Sequence, residues 1–341
     1  MNNFWESADF AAKLEARAAE VEAEKDARRF DPEDLFHKIR ARVIGQDRLA
    51  RTVAKLVANR AARRSRKRPI CSIFYSGPTG VGKTEFAKAV AAALGDEKAM
   101  FRLDCGSLGT SESSMAAIIG SPSVYTGSTR GSLIEHLIKY KDQFSVILFD
   151  EFEKAITDQS GKSNANAPIA KMLLNLLDEG RVQSNYDQQA YDATGCIIIL
   201  TSNLCQREMA QAAETIKDPD QLESSCKAIL TGHLAPEFLA RIDLVSTADK
   251  LTRSDMARIM ALHFSALCKE HGLAVATVGD GFYDLLLQAA ERLALTTSRD
   301  AIRWLGRACE DSIIEAVNDR RIRRAVVDWR DERLVVIDAD R

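Results

Sequence analysis

The 341-residue sequence has no run of about 18 apolar residues, so no membrane span is expected. It has no surplus charge of either sign: 47 Lys and Arg stand against 49 Asp and Glu, a formal net charge of -2. Coating nucleic acid needs an excess of cations, so that class is excluded for the surface as a whole. The cysteines (Cys71, Cys105, Cys196, Cys205, Cys226, Cys268 and Cys309) are odd in number and show no CxxC spacing. Neither a disulfide framework nor a zinc cluster is expected. Buried thiols in a reducing, cytoplasmic compartment are. His37, His136, His233, His263 and His271 form no HExxH. Met1 to Asp9 lacks the basic, apolar and small-residue order of a secretory signal.

What is present is ordered punctuation. Phe10, Leu14, Ala18 and Val21 recur at helical spacing and predict a helix over 8–30, ended by Asp31-Pro32. A second helix is predicted over 47–62, with Leu49, Val53, Leu56 and Val57 on one face. It runs into Arg60, Arg63, Arg64, Arg66, Lys67 and Arg68, either a solvated helix end or a grip for phosphates. From residue 71, short apolar runs (71–76, 100–104, 145–150 and 196–202) alternate with helical periods (83–94, 132–141 and 167–178). That alternation predicts an α/β fold with a parallel sheet covered on both faces. After Thr252, helical periods dominate (254–270, 281–294 and 299–318), and AVVDW and RLVVID predict a hairpin. A domain boundary is placed near Lys250. The polar segment 158–166 reads as a surface loop.

Gly77-Pro78-Thr79-Gly80-Val81-Gly82-Lys83-Thr84 fits GxxxxGK[ST] between a predicted strand and a predicted helix. Its glycines let backbone N–H groups turn in around phosphate oxygens. Lys83 then serves the β and γ phosphates, and the Thr84 hydroxyl is a ligand for Mg²⁺. Asp150-Glu151 closes the strand SVILFD, at the edge where parallel sheets bind ligands. Asp150 is the second Mg²⁺ ligand and Glu151 the general base for a water. Asn203 ends the strand CIIILTS, where its amide orients that water or contacts phosphate.

The order of VIGQ (43–46), GPTGVGKT (77–84), DEFEKA (150–155), LLDEGR (176–181), TSNL (201–204) and PEFLARID (236–243) resembles the AAA+ ATPases. More narrowly, it is similar to the second ATPase module of the ClpB and ClpA unfoldases, over about residues 35–338. The resemblance implies a P-loop AAA+ core with a five-stranded parallel sheet, followed by a small, mainly helical lid domain that ends in a β-hairpin. It implies an N-terminal extension over 1–34, a large domain over 35–250 and a small domain over 251–341. It implies ATP and Mg²⁺ as cofactors, with Val43 and Ile44 packing on adenine. Arg241 matches the finger that reaches a neighbouring subunit's nucleotide; a bridge to Asp243 is the alternative. Arg299 stands at the sensor-2 position, with Arg303 as a rival. Val124-Tyr125-Thr126-Gly127 resembles the loop that grips polypeptide in a pore, although the family has Gly where Val124 stands.

The function this implies is Mg-ATP-dependent protein remodelling by a homo-oligomeric, hexameric ring. A single phosphate loop implies a single-tier ring. There is no long coiled-coil insertion, so cooperation with a DnaK-type chaperone is not expected. Residues 205–234 lack the tripeptide that docks ClpP, so coupling to that protease is not expected either. Residues 182–192 lack the family's Gly-rich run. The 8–30 helix is the expected place for an adaptor. A nucleic-acid-linked switch or loader using the 60–68 run, and a scaffold ATPase with one dedicated partner, are the alternatives.

Overall fold

The computed structural model describes residues 30–63, 65–107, 112–124, 126–156, 167–292 and 298–340, with Lys13 and Arg17. The expected 8–30 helix and Tyr125 therefore lie outside the described residues, apart from Lys13, Arg17 and Phe30. The chain divides into two compact units. One comprises Met1–Arg42, Asp47–Ser76 and Thr84–Thr247; the other comprises Val43–Gln46, Gly77–Lys83 and Ala248–Arg341.

The first unit opens with α1 (Pro32–Arg42) and α2 (Asp47–Ala61). Asp31-Pro32, where the 8–30 helix is expected to end, starts a helix of its own. The Asp31 carboxylate accepts from the Asp34 amide at 3.1 Å, and Pro32 occupies the first turn, where its missing N–H costs nothing. There follow β1 (Cys71–Ser76), α3 (Lys83–Ala93), β2 (Met100–Asp104), α4 (Glu112–Ile119), α5 (Ser132–Lys139) and β3 (Ser145–Asp150). Then come α6 (Glu153–Ile156), α7 (Pro168–Glu179), the short pair β4 (Arg181–Gln183) and β5 (Ala190–Asp192), and β6 (Cys196–Ser202). Finally α8 (Gln206–Thr215), α9 (Pro219–Leu230), α10 (Pro236–Leu239) and β7 (Leu244–Thr247) close the unit.

Five strands form one parallel sheet in the order β2-β3-β6-β1-β7. β1, β3 and β6 are buried along their whole length, which is why they read as unbroken apolar runs. β7 has four residues, too few for a periodic signal. The register sets Asp104 beside Asp150, Tyr75 beside Thr201, and Ser76 beside both Ser202 and Thr247. All five carboxyl ends thus open on one sheet edge.

The loop from α4 to α5 is pinched at its neck. Gly131 has φ 85°, and a Cβ there would lie 2.3 Å from the Gly120 nitrogen, so only glycine fits. The Ser121 amide donates to the Thr129 carbonyl at 3.1 Å. β4 and β5 form an antiparallel hairpin that holds this loop from outside. Asn185 donates to the Ile119 carbonyl at 2.9 Å and Ser123 to the Tyr186 carbonyl at 3.3 Å.

In the second unit, α11 (Arg253–Glu270) begins with a reciprocal cap. Thr252 Oγ1 accepts from the Asp255 amide and Asp255 accepts from the Thr252 amide. β8 (Ala274–Val278), α12 (Asp280–Arg292), α13 (Ser298–Asn318), β9 (Arg324–Arg330) and β10 (Arg333–Asp338) follow. Met260, Phe264, Phe282, Cys309 and Ile313 lie in its core, with the Phe264 and Phe282 rings 4.5 Å apart. β9 and β10 make the expected hairpin across Asp331-Glu332, both at positive φ. β8 adds to β9 in parallel, so the expected hairpin is two strands of a three-stranded sheet. Its AVATV segment is half exposed and short, which hid it among helical periods. No helix among the described residues is long and apolar enough to cross a membrane.

Candidate active site

In the first unit, three consecutive residues at the end of β3 are organised by one residue of β6. Thr201 is fully buried. Its hydroxyl donates to Asp150 Oδ1 at 2.5 Å and accepts from the Glu151 amide at 3.3 Å, while its carbonyl accepts from the Phe152 amide at 2.9 Å. These bonds hold Glu151 in the left-handed region at φ 52°, where a non-glycine residue costs about 1–2 kcal/mol. Glu151 Oε2 lies so close to Gly106 that a Cβ there would stand 2.8 Å from it.

Asp150 is 6% exposed. Its Oδ2 accepts from Thr84 Oγ1 at 2.9 Å and from Arg102 Nε at 3.1 Å. Burial alone raises a carboxyl pKa. Here the Thr201 and Thr84 hydroxyls and the Arg102 guanidinium outweigh it and hold Asp150 below the ordinary carboxylate range. Asn203 is placed by its backbone N–H, which donates to Glu153 Oε1 at 3.2 Å. Ser76 Oγ donates to the Leu204 carbonyl at 2.7 Å and fixes the end of β6 against β1.

In the second unit, the phosphate loop carries Gly80 at φ 88° and Gly82 at φ 92°, with nothing within 4 Å of a Cβ at Gly82. Lys83 Nζ donates to the Gly77 carbonyl and, at 3.2 Å, to the Pro78 carbonyl. Ser298, the first residue of α13, donates its hydroxyl to the Gly80 carbonyl. Val43 and Ile44 are buried.

These residues fit Mg²⁺ with a nucleotide. Two hard oxygen donors converge within 2.9 Å, from Thr84 and Asp150, and no cluster of three or more His, Cys, Asp or Glu side chains with metal-ligating geometry exists among the described residues. Mg²⁺ takes few protein ligands and leaves the rest to phosphates and water.

Residues 68–245, just over half of the chain, match the model of the AAA domain (Cdc48 subfamily). This chain belongs to that family. It is 30% identical over 297 residues to the chaperone protein ClpB of Propionibacterium freudenreichii subsp. shermanii, covering 86% of this chain and 30% of that protein. It is 32% identical over 270 residues to ClpB of Mesorhizobium japonicum, covering 79% and 28%. A closed-state cryo-EM reconstruction of Hsp104 with ATPγS and FITC-casein superposes with a TM-score of 0.69 at 26% identity, covering 93% of this chain and 52% of that one. The chain is a ClpB/Hsp104-like AAA+ module and spans about 30% of the length of the ClpB relatives it matches.

Within the AAA module, Arg241 follows α10 and is 22% exposed at its side chain. It does not bridge to Asp243, the alternative open from sequence. It donates to Asp178 on α7, to the Glu237 carbonyl at 2.7 Å and to the Glu237 carboxylate at 3.1 Å. Asp243 is taken by Arg60 at 2.7 Å and by the Ser72 amide at 2.8 Å. The 60–68 run is largely spent on the fold. Arg60 holds Asp243, Arg66 donates to the carbonyls of Ala61, Arg63 and Thr194, and Arg68 reaches Asp178 at 3.2 Å. Arg63 and Lys67 are exposed, and Arg64 lies outside the described residues.

Arg299 is exposed directly beside Ser298, whereas Arg303 lies one turn along α13 and 3.9 Å from Asp300. Val124 is 84% exposed, and Gly127 takes φ 81°. Sequence reasoning missed the roles of Thr201, Arg102, Gly106 and Ser298. Arg102 carried a visible signal, a charge between Phe101 and Leu103 inside the strand MFRLD. The other three show only through their spatial neighbours. All seven cysteines are free, six of them buried, and burial pushes the Cys105 and Cys196 thiols up to about 12.

Proposed function

We propose that the chain is a Mg-ATP-dependent ATPase that remodels or unfolds polypeptide as a homo-oligomeric, hexameric ring. The observation that carries this reading is the cluster at the carboxyl ends of β3 and β6. Thr201 holds Asp150 beside Thr84 and bends the chain so that Glu151 stands apart as an acid–base group. Thr84 and Asp150 hold Mg²⁺, and the backbone of Pro78, Thr79, Gly80, Val81 and Gly82 cradles the phosphates. Lys83 leaves its loop carbonyls for the phosphate oxygens. Bound Mg²⁺ supplies charge neutralisation at the phosphates. Glu151 takes a proton from the attacking water at its carboxylate, and the Asn203 amide orients that water. Arg241 reaches a neighbouring subunit's nucleotide, Arg299 responds to the nucleotide from α13, and Val43 and Ile44 face adenine. Tyr125, with Val124, Thr126 and Gly127, presses on a polypeptide without demanding sequence. The ring works in the cytoplasm and without ClpP, and an adaptor docks on the N-terminal segment. The names of the ClpB relatives and of the casein-containing Hsp104 structure support a polypeptide client.

Lys83→Ala is expected to lose nucleotide binding. Glu151→Gln should bind ATP and turn it over about 10²- to 10⁴-fold more slowly. Unfolded protein should stimulate turnover of the wild type. Stimulation by DNA alone, lost on replacing Arg63, Arg64 and Lys67 by Ala, would overturn the polypeptide reading.

A further inference from the structure

The two oxygens of Asp150 keep different company. Oδ1 receives the Thr201 hydroxyl alone. Oδ2, the oxygen beside Thr84, is approached by two nitrogens of one guanidinium, Arg102 Nε at 3.1 Å and Nη2 at 2.8 Å. The geometry follows from the β2–β3 ladder. Arg102 pairs with Leu148, so Asp150 is its diagonal neighbour two residues towards the carboxyl edge. Confinement is unequal. The Asp150 side chain is 9% exposed and pinned by two hydroxyls, whereas the Arg102 side chain is 48% exposed.

We propose that Arg102 is a resident cation that neutralises Asp150 while no metal is present, and that a divalent metal arriving with nucleotide displaces it from Oδ2. The proposal rests on the reading of Thr84 and Asp150 as the metal-holding pair. A buried carboxylate without a partner is strongly unfavourable, so a site built around Asp150 needs a cation in both of its states. A guanidinium and a divalent ion on the same oxygen repel each other at that range, so the two compete for Oδ2. Arg102 is the partner free to move, since its long stem can carry its head into water. It is a positioning residue that raises the metal concentration needed to load the site and keeps Asp150 in place after release.

The test uses the full chain and a fluorescent ATP analogue, with Mg²⁺ set by a chelator buffer. In Arg102→Gln, the Mg²⁺ concentration at half-saturation should fall about fivefold, about 1 kcal/mol for removing a half-exposed competitor. Binding of the analogue in excess chelator should be unchanged. A second readout needs no turnover. Arg102→Gln and Arg102→Ala should both melt lower than wild type in chelator, and the gap should close in Mg²⁺ with ATPγS. Half-saturation unchanged or raised in both variants, with melting restored in Mg²⁺ and ATPγS, would overturn the exchange alone. Failure of the wild type to take up the analogue at any Mg²⁺ concentration would overturn the nucleotide reading beneath it.

Discussion

Arg241 separates two physical readings that a single variant can confuse. In this chain it is latched to Asp178 and Glu237, and Asp178 also receives Arg68. The residues are partly exposed, at 22% for Arg241, 32% for Asp178 and 68% for Glu237. Pairs so wetted contribute about 1 kcal/mol at most. Arg241→Ala should therefore lower the melting temperature by only about 1–2 °C for a chain of this size. If Arg241 also acts in trans, its loss removes a transition-state contact. Turnover should then fall about 10³- to 10⁵-fold, equivalent to about 4–7 kcal/mol. The mismatch between these magnitudes is the diagnostic. Asp178→Asn supplies the control, because it loosens the latch and keeps the finger: turnover should hold or rise. Mixing supplies the geometry. Arg241→Ala subunits retain Glu151, and Glu151→Gln subunits retain Arg241, so mixed rings should regain turnover that neither parent has. Steady-state ATPase assays with melting curves on the same samples read all three. The reasoning is refuted if Arg241→Ala keeps wild-type turnover while melting lower, since the latch would then be the residue's whole role.

Other outcomes follow from the same geometry. Thr201→Val removes the donor to Asp150 Oδ1 and the acceptor for the Glu151 amide. It should cost about 1–3 kcal/mol in denaturant unfolding and slow turnover as well. Asp150 is held below the ordinary carboxylate range, so its pairing stabilises the fold fully above a pH of about 4, and the contribution is lost as the pH falls through the depressed value. An acid titration of unfolding should therefore show a shallower loss in Thr201→Val than in wild type. Gly106→Ser places a Cβ 2.8 Å from Glu151 Oε2, and should reduce turnover while leaving binding of the ATP analogue intact.

Much of the architecture was legible because its signals are local. β1, β3 and β6 are buried on both faces and so carry unbroken apolar runs. The phosphate loop is one contiguous segment with its own spacing. β7, β8 and the β4–β5 hairpin were not legible, because three to five residues hold too little period to distinguish a strand from a loop. α1 was not read at all, because Asp31-Pro32 was weighed only as a helix end, whereas Pro also serves a helix start and the Asp31 cap marks one here. In the site, Lys83, Thr84, Asp150 and Glu151 stand in recognisable strings. Thr201 and Arg102 act through strand register; the charge at Arg102 is visible in its strand, but the partner it reaches is not.

The pinched neck at Gly120 and Gly131 has a consequence for how such a loop diversifies. Its closing bonds from Ser121 and to the hairpin residues Asn185 and Tyr186 run through backbone atoms. Backbone bonds do not depend on which side chains lie between them. The residues at the tip can be exchanged wholesale, as in a tool with an interchangeable bit, while the two glycines and the hairpin keep the shank the same. Under the proposed gripping role, client preference would drift through substitutions at 122–128 without disturbing Thr84, Asp150 or Thr201.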